Sequence, residues 1–551
     1  MSYKTHHHSF GQRHRFPKSL PTIPLILKYL PLAYLLTCVA CSNQIDREAD
    51  ADHSRPNILF AISDDQSFPY ASFLGDESTI TPAFDAIAAR GVVFNQAFCA
   101  APQCSPSRAA LLTGRNIWQL EEAGTHGSYF PRKYPVFTNA LEASGYALGF
   151  TGKPWGPGNW KDAGWDRNPV GPEFNEHTMD VPYKGINKRD YARNFTAFLD
   201  AKPTGQPFFF WYGGHEPHRV FEEGSGLRSG KKLANAAVPN FLPQDSIVQS
   251  DILDYSAEIQ WFDRHLGQMI DALDERGLLE QTIIVITADN GMAFPAAKAN
   301  LTEYGVHVPL VIAGPGIKGQ RRVDDLVSLI DLAPTFLELA DVQALKGITG
   351  RSLGRLLTSE KEGYVFDRDG QLVVVGRERH THARPNNFGY PARAVRTPQH
   401  LYIYNMKPDR WPAGDPERTF PPRYQRPEDF KSMAEGYHDI DPAPSKTLIL
   451  KEREKYADYF DLAVAKRPEA QLFDIINDPG CTKNLALDPR MHDVKSALHE
   501  VLIQTLKGQA DPRMFGEGDI FESYPRFGGM RDFPGFKERG AYNPTYQVAE
   551  N

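Results

Sequence analysis

A chain of 551 residues has room for about two to four domains and a large core, and 41% hydrophobic with 23% charged residues is the composition of an ordinary globular protein. A formal charge of −7 excludes a nucleic-acid partner held by a broad basic surface, so any anionic ligand must meet a local cluster of cations. Five cysteines in this length make no disulfide framework.

Residues 1–40 differ from the rest. Lys4, Arg13, Arg15, Lys18 and Lys28 stand there without an acid, followed by an apolar run from Tyr29 to Ala40 that is too short to span a bilayer. The segment reads as an export signal. Losing its five cations from −7 would leave a mature chain at −12. Ala40 before Cys41, with a polar stretch behind, resembles a bacterial lipoprotein cleavage site, although Cys38 occupies the position where leucine is usual. Lipidation of Cys41 and ordinary signal cleavage both remain open. Either places the protein outside the cytoplasm, in the periplasm or anchored at the outer membrane of a bacterium, touching membrane only through a lipid. His6 to His8 belong to the signal rather than to a metal tract, and residues 41–55 form a polar tether. Cys99 and Cys481 are then left, and could pair if their geometry allows.

From residue 56 the chain alternates strands and helices. Asn57 to Ile62 is a continuous apolar run, as expected of a strand covered on both faces, and it ends at Asp64-Asp65. Thr81-Pro82 opens a helix over Ala83 to Arg90. Cys104-Ser-Pro-Ser-Arg108 opens another, since Pro106 suits a first turn and Gly114 a helix end. Tyr146 to Thr151 is a strand before Lys153, and a helix over Lys188 to Ala201 precedes the strand Pro207 to Tyr212, which leads to His215-Glu-Pro-His218. A long helix over Asp251 to Arg276 feeds the strand Thr282 to Thr287, which delivers Asp289-Asn290. Pro309 to Ala313 is a further strand and Leu332 to Ala340 a closing helix. This order predicts an α/β fold, a large mostly parallel sheet sandwiched by helices, over residues 56–345. Ligands in such sheets bind at the carboxyl ends of strands, where Asp64-Asp65, His218 and Asp289-Asn290 all fall. Residues 346–551 change texture to short strands (Gln371 to Val375, His400 to Tyr404), Pro-rich connections from Pro408 to Pro444, a helix over Pro489 to Leu506 and a packed tail. They predict a smaller C-terminal antiparallel-sheet subdomain.

The chemistry concentrates at those strand ends. Cys104 at a helix N-terminus faces a region that favours anions, with Arg108 one turn on along the same face. Two pairs, Asp64-Asp65 and Asp289-Asn290, make an oxygen-only metal cup suited to Ca²⁺ or Mg²⁺ rather than zinc.

Cys104-x-Pro-Ser-Arg108 followed by Leu112-Thr-Gly114 resembles the signature of the type I sulfatases, and the rest of the chain carries matching motifs. These are Ser63-Asp-Asp65, Gly152-Lys153, His215-Glu-Pro-His-Arg219, Asp289-Asn-Gly with Lys298, Tyr390-Pro-Ala-Arg-Ala-Val395, and Leu472-Phe-Asp474 through Asn484-Leu485. Within that family the sulfamidase branch and its bacterial relatives are most similar. The resemblance implies an alkaline-phosphatase-like fold and a formylglycine at position 104, made by a maturation enzyme. It also implies one ion, usually Ca²⁺, held by Asp64, Asp65, Asp289, Asn290 and residue 104, with Arg108, Lys153, His218 and Lys298 around the sulfate. His218 or a lysine would protonate the leaving group. The chain departs from the family where Lys153-Pro154-Trp155 replaces the usual Lys-x-His, and Lys298 stands where sulfamidase has arginine. His126, Trp155, His215, Glu378, His380, His382 and Arg384 are candidates to shape a pocket for a sulfated sugar, whose O- or N-sulfate could belong to a heparan-type or a marine algal chain such as ulvan. His265 and His307 read as structural. Competing readings are a phosphonate or phosphate monoester hydrolase of the same fold, and a non-catalytic surface lipoprotein that binds sulfated glycans through unconverted Cys104.

Overall fold

The computed structural model describes residues 55–384, 388–416 and 436–527. The export segment, Cys41 and the tether up to residue 54 lie outside the described residues. Those from 55 onward fall in one compact unit. Among the described residues no helix is long and apolar enough to cross a membrane.

Seven strands form the main sheet: β1 (Asn57–Ser63), β2 (Val92–Phe94), β3 (Ala147–Gly152), β4 (Phe208–Gly213), β5 (Thr282–Ala288), β6 (Leu310–Ala313) and β7 (Arg321–Val323). Their order is β3-β4-β1-β5-β6-β2-β7. The first four run parallel, while β6 is antiparallel to both β5 and β2. Strands β2 and β7 escape sequence reading because three residues show no periodicity.

Side-chain alternation explains why the sheet is covered twice. Ile58, Phe60 and Ile62 point into one apolar cluster with Phe209, Trp211 and the helix Cys104–Thr113. Leu59 and Ala61 point into another with Phe208, Phe210 and the helices Tyr191–Ala201 and Ser246–Asp274. Each fully buried Phe or Ile contributes roughly 1.5–3 kcal/mol of transfer free energy. The long helix begins earlier than the sequence suggests, at Ser246, because the Asp245 carboxylate caps it by accepting from the Ile247 N–H.

Register then decides where the chemistry emerges. Ile62 lies beside both Gly213 and Thr287, and Gly213 beside Gly152. Asp64, Lys153, the 214–219 loop and Asp289 therefore leave the sheet at one level. The Lys153 N–H donates to the Gly213 carbonyl at 2.5 Å. A Cβ on Gly213 would stand 1.9 Å from the Lys153 carbonyl, which is backbone and cannot swing aside. Gly213→Ala is expected to destabilise the protein by about 3 kcal/mol and to lower turnover by displacing Lys153; denaturant midpoint and initial rate check both.

A second sheet of four antiparallel strands, β8 (Val373–Arg377), β9 (Ala392–Arg396), β10 (His400–Asn405) and β11 (Ala470–Asp474), follows in sequence order. Val375, Ala394, Leu401 and Leu472 join the same apolar cluster as Ile58 and Phe60, so this sheet and the main one share a core. A buried ion pair also links the two regions: the Arg396 Nε donates to Glu303 Oε1 at 2.6 Å. Burial alone would raise the Glu303 carboxyl, but Arg396 and His307 bring it down to about 2. A depressed carboxyl stabilises the fold above its unfolded value of 4.5 and loses that contribution as pH falls toward 2. The shift corresponds to about 3 kcal/mol. Between pH 4.5 and 2 the wild type is expected to lose stability faster than Glu303→Gln, and parallel melting curves would refute this.

Candidate functional site

Every group that sequence reading assigned to the metal and the sulfate lies at the carboxyl end of the main sheet. Asp64 and Asp65 follow β1. Asp65 adopts a left-handed φ of 69°, which Asp tolerates. Its carbonyl accepts from the Tyr255 hydroxyl at 3.1 Å, and its N–H donates to Asp289 Oδ1 at 3.1 Å. Cys104 is the first residue of a ten-residue helix that is buried throughout and ends at Gly114, φ 65°. Within that helix the Ser107 hydroxyl donates to the Asp289 carbonyl at 2.5 Å, tying the helix start to the end of β5. Cys104 Sγ lies 3.9 Å from Asp65 Oδ1.

Three carboxylates and three cations interlock here. Arg108 Nε donates to Asp289 Oδ2 at 2.7 Å, and its Nη1 donates to the carbonyls of Lys153 and Pro154 at 2.8 and 3.2 Å. Lys298 Nζ donates to Asp65 Oδ2 at 2.5 Å, and Lys153 Nζ pairs with Asp64 Oδ2. Each carboxylate thus gives its outer oxygen to a cation. Asp64 Oδ1 and the Asn290 carbonyl oxygen are buried without a hydrogen-bond partner, as is Arg108 Nη2, 4.0 Å from that Asp64 oxygen. Carboxylate oxygens of Asp64, Asp65 and Asp289 converge within 4.8 Å of one another. Unpaired buried oxygens are costly, and an oxygen-only cup of this kind fits a hard divalent cation.

Burial raises the carboxyls of Asp65 and Asp289, and repulsion from Asp64 adds to both. Burial opposes the charge on Asp64 as well, but Lys153, His218 and Arg108 hold it well below the carboxylate range. Burial and the Asp64 charge push the Cys104 thiol far up. As a protonated thiol it is a poor nucleophile.

His218 follows the Glu216–Pro217 cis peptide. Its Nδ1 lies 2.6 Å from the Arg219 carbonyl, to which it donates, and its Nε2 is 3.9 Å from Asp65 Oδ2. Burial and Lys298 lower it to about 4, so it is neutral near pH 7. His215 sits beside it with Nε2 3.2 Å from Arg189 Nη1, lowered to about 3 by burial and Lys153.

The sugar-pocket candidates divide. His126 and His380 meet edge to face, with centroids 4.7 Å apart, and His126 lies in the field of Lys298 and Lys153. Trp155 stands behind the Cys104 helix, in contact with Phe130, its indole N–H donating to the Ser105 carbonyl at 3.1 Å. Glu378 accepts from Arg393 and Arg513 inside a buried ion network that secures the tail. Arg384 pairs with Asp439 at 2.8 Å and donates to the Trp411 and Pro412 carbonyls. The buried His382 lies in the same stretch, while His265 and His307 pack among aromatic rings.

Sequence reading missed Asp441, whose Oδ2 is 3.4 Å from Lys298 Nζ, and Gln103, whose buried amide directly before Cys104 has neither atom bonded. Asp441 belongs to a segment read only as a Pro-rich connection, and no local spacing links it to Lys298. Cys99 and Cys481 are both buried free thiols.

The Sulfatase family model matches residues 56–342. Human N-sulphoglucosamine sulphohydrolase is 26% identical over 85% of this chain and 93% of its own length. An ulvan-active sulfatase of Formosa agariphila is 22% identical over 90% of this chain and 83% of its own. Among solved structures, a 2-O GAG sulfatase superposes with a TM-score of 0.58 at 19% identity, covering 88% of this chain and 99% of that one. With its main sheet, its strand-end site and more than half of its length inside that family match, the chain belongs to the sulfatases.

Proposed function

We propose that this sulfatase removes sulfate from a carbohydrate, as an exported bacterial enzyme acting on the O- or N-sulfate of an oligosaccharide released from a larger polysaccharide. The observation that carries the reading is the convergence of Asp64, Asp65, Asp289 and Asn290 beside a buried Cys104 inside a ring of cations. N-sulphoglucosamine and ulvan are both named among the similar proteins, by the human sulphohydrolase and the Formosa enzyme.

Sulfatases generally use a formylglycine and a divalent metal. The four oxygen-bearing residues would hold one ion, Ca²⁺ by preference and Mg²⁺ as the alternative, and it would supply positive charge against the sulfate oxygens. Conversion of Cys104 to formylglycine by a maturation enzyme, followed by hydration of that aldehyde, would supply what the thiol cannot: two geminal hydroxyls, one to attack sulfur and one to expel sulfate and restore the aldehyde. Arg108 braces that residue from the next helical turn and turns Nη2 toward the anion. Lys153 and Lys298, each paired with an aspartate, would add positive charge for the sulfate. Each can leave its aspartate for a sulfate oxygen once a cation neutralises the carboxylates. Anion binding reverses the effect of Lys298 on His218, so a protonated imidazole becomes available to the leaving oxygen or nitrogen. His126, His215 and His380 border the sugar. We assign catalysis to residues 56–345 and a smaller C-terminal subdomain and tail to residues 346–551, with Cys41 as a lipid anchor.

The test combines two measurements. A tryptic peptide mass from the native host shows whether residue 104 has become formylglycine, and sulfate release is followed on a panel of defined oligosaccharides beside phosphate and phosphonate monoesters. Conversion with preferential sulfate release is expected. An unmodified peptide with glycan binding and no turnover would replace the enzyme by a lectin, and faster phosphonate cleavage would change the reaction class.

A further inference from the structure

We propose a second oxyanion site, separate from the pocket around Cys104, in the cavity between the 296–302 loop and the antiparallel sheet. The cavity measures about 190 Å³ and is lined by Asn300, Thr302, Arg377 and Tyr390, with Lys466 and Arg467 at the rim. Among the described residues no Asp or Glu lines it.

Its charge is the reason to expect an anion. Arg377 and Arg384, each with a side chain 2% exposed, share one carboxylate: their Nη2 atoms lie 2.9 and 2.8 Å from the same oxygen, Oδ2 of Asp439. His380 Nδ1 adds a third approach to that residue, 3.6 Å from Oδ1. Among the described residues, two permanent cations facing one carboxylate leave buried positive charge in excess, which is costly unless a counter-charge joins them. Arg377 donates through Nη2 alone, to Asp439 and the Pro412 carbonyl, and its buried Nε has no partner. The Tyr390 hydroxyl also has none, and its ring lies 5.1 Å from the Arg377 guanidinium. Both hydrogen bonds of Arg467 go to main-chain carbonyls, of Asp461 and Leu462. Burial lowers Arg377 to about 10, as expected of a guanidinium short of negative charge.

A guanidinium fork beside a phenol suits the oxygens of a small tetrahedral anion. The volume is below the 300–1,000 Å³ usual for pockets that enclose drug-sized ligands, so the ligand is a sulfate-like ion or a single sulfate group reaching in. Asn300 and Thr302 continue the loop that carries Lys298, which places the anion on the reverse side of a catalytic loop.

Selenate is the probe, because its anomalous scattering reports position. Crystals of the full chain soaked in selenate are expected to show a peak within hydrogen-bond reach of Arg377 and Tyr390, in addition to any near Cys104. The double variant Tyr390→Phe/Arg467→Gln should lose the first peak and keep ester turnover. Lys466→Gln, at an exposed position, weakens the site several-fold without risk to folding. In solution, sulfate should raise the wild-type Tm in two saturable phases and that of the double variant in one. A heparin-derived tetrasaccharide that displaces the cavity selenate supports a saccharide-borne sulfate, and one that leaves it supports the free ion. No cavity peak in wild-type crystals, or a peak and two-phase melting response unchanged in all the variants, overturns the proposal.

Discussion

Cys104→Ala is expected to abolish sulfate release, with a fall in kcat of at least about 10⁴-fold, while the protein stays folded. The side chain is 1% exposed and its sulfur lies 3.9 Å from Asp65 Oδ1, so the substitution leaves a small polar gap at the head of the helix. The loss of one sulfur costs about 1 kcal/mol or less in packing. Loss of activity and loss of stability are therefore separable, and a denaturant midpoint beside the rate distinguishes them. Cys104→Ser sharpens the test. A lone hydroxyl can attack sulfur but has no second hydroxyl to expel the group, so a sulfate adduct should accumulate on the intact protein and be visible by mass. Full activity in Cys104→Ala would remove residue 104 from the chemistry and with it the proposed mechanism.

What could be read from the sequence follows from how far apart the informative residues stand. The strands ending at Ser63, Gly213 and Ala288 are uninterrupted apolar runs, so their existence and the chemistry just past their ends are local properties. Cys104, Pro106, Arg108 and Gly114 sit within one helix, and their offsets place Arg108 one turn from Cys104 in the sequence as in the structure. Contacts made across the fold are different. Nothing near Asp441 marks it as a neighbour of Lys298, because the pair forms only when the segment before the Pro444–Lys451 helix closes on the 289–298 loop. Glu378 and Arg384 look like binding residues in a linear reading, since charge in a strand edge is the mark of a solvated face or a ligand. Their partners, Arg513 and Asp439, come from the tail and from beyond the Pro-rich stretch, and these decide what the charges do. Trp155 was conspicuous for occupying a histidine position of the family. Its indole donates to the Ser105 carbonyl, so at this position the chain braces the start of the Cys104 helix where the family has a histidine.

Arg108 is the second residue whose loss has a large expected effect. It is fully buried and ties its own helix to two strand ends: Asp289 after β5 through Nε, and the Lys153 and Pro154 carbonyls after β3 through Nη1. Removing it leaves the buried Asp289 carboxylate without its ion pair, which costs about 3–5 kcal/mol, and deletes the unpartnered buried Nη2 proposed to meet the sulfate. Arg108→Ala is expected to lower both the denaturant midpoint and kcat/KM, the latter by about 10³-fold or more. Arg108→Lys separates the two effects. An ammonium can neutralise Asp289 but cannot also span to the 153–154 carbonyls and present a planar donor, so stability should recover in large part while kcat stays depressed by about 10²-fold. If the lysine variant instead regains full turnover, the guanidinium serves as a counter-charge alone. Lys153 and Lys298, whose ammonium groups reach the same carboxylate cluster, would then carry the anion without help from the nucleophile's own helix.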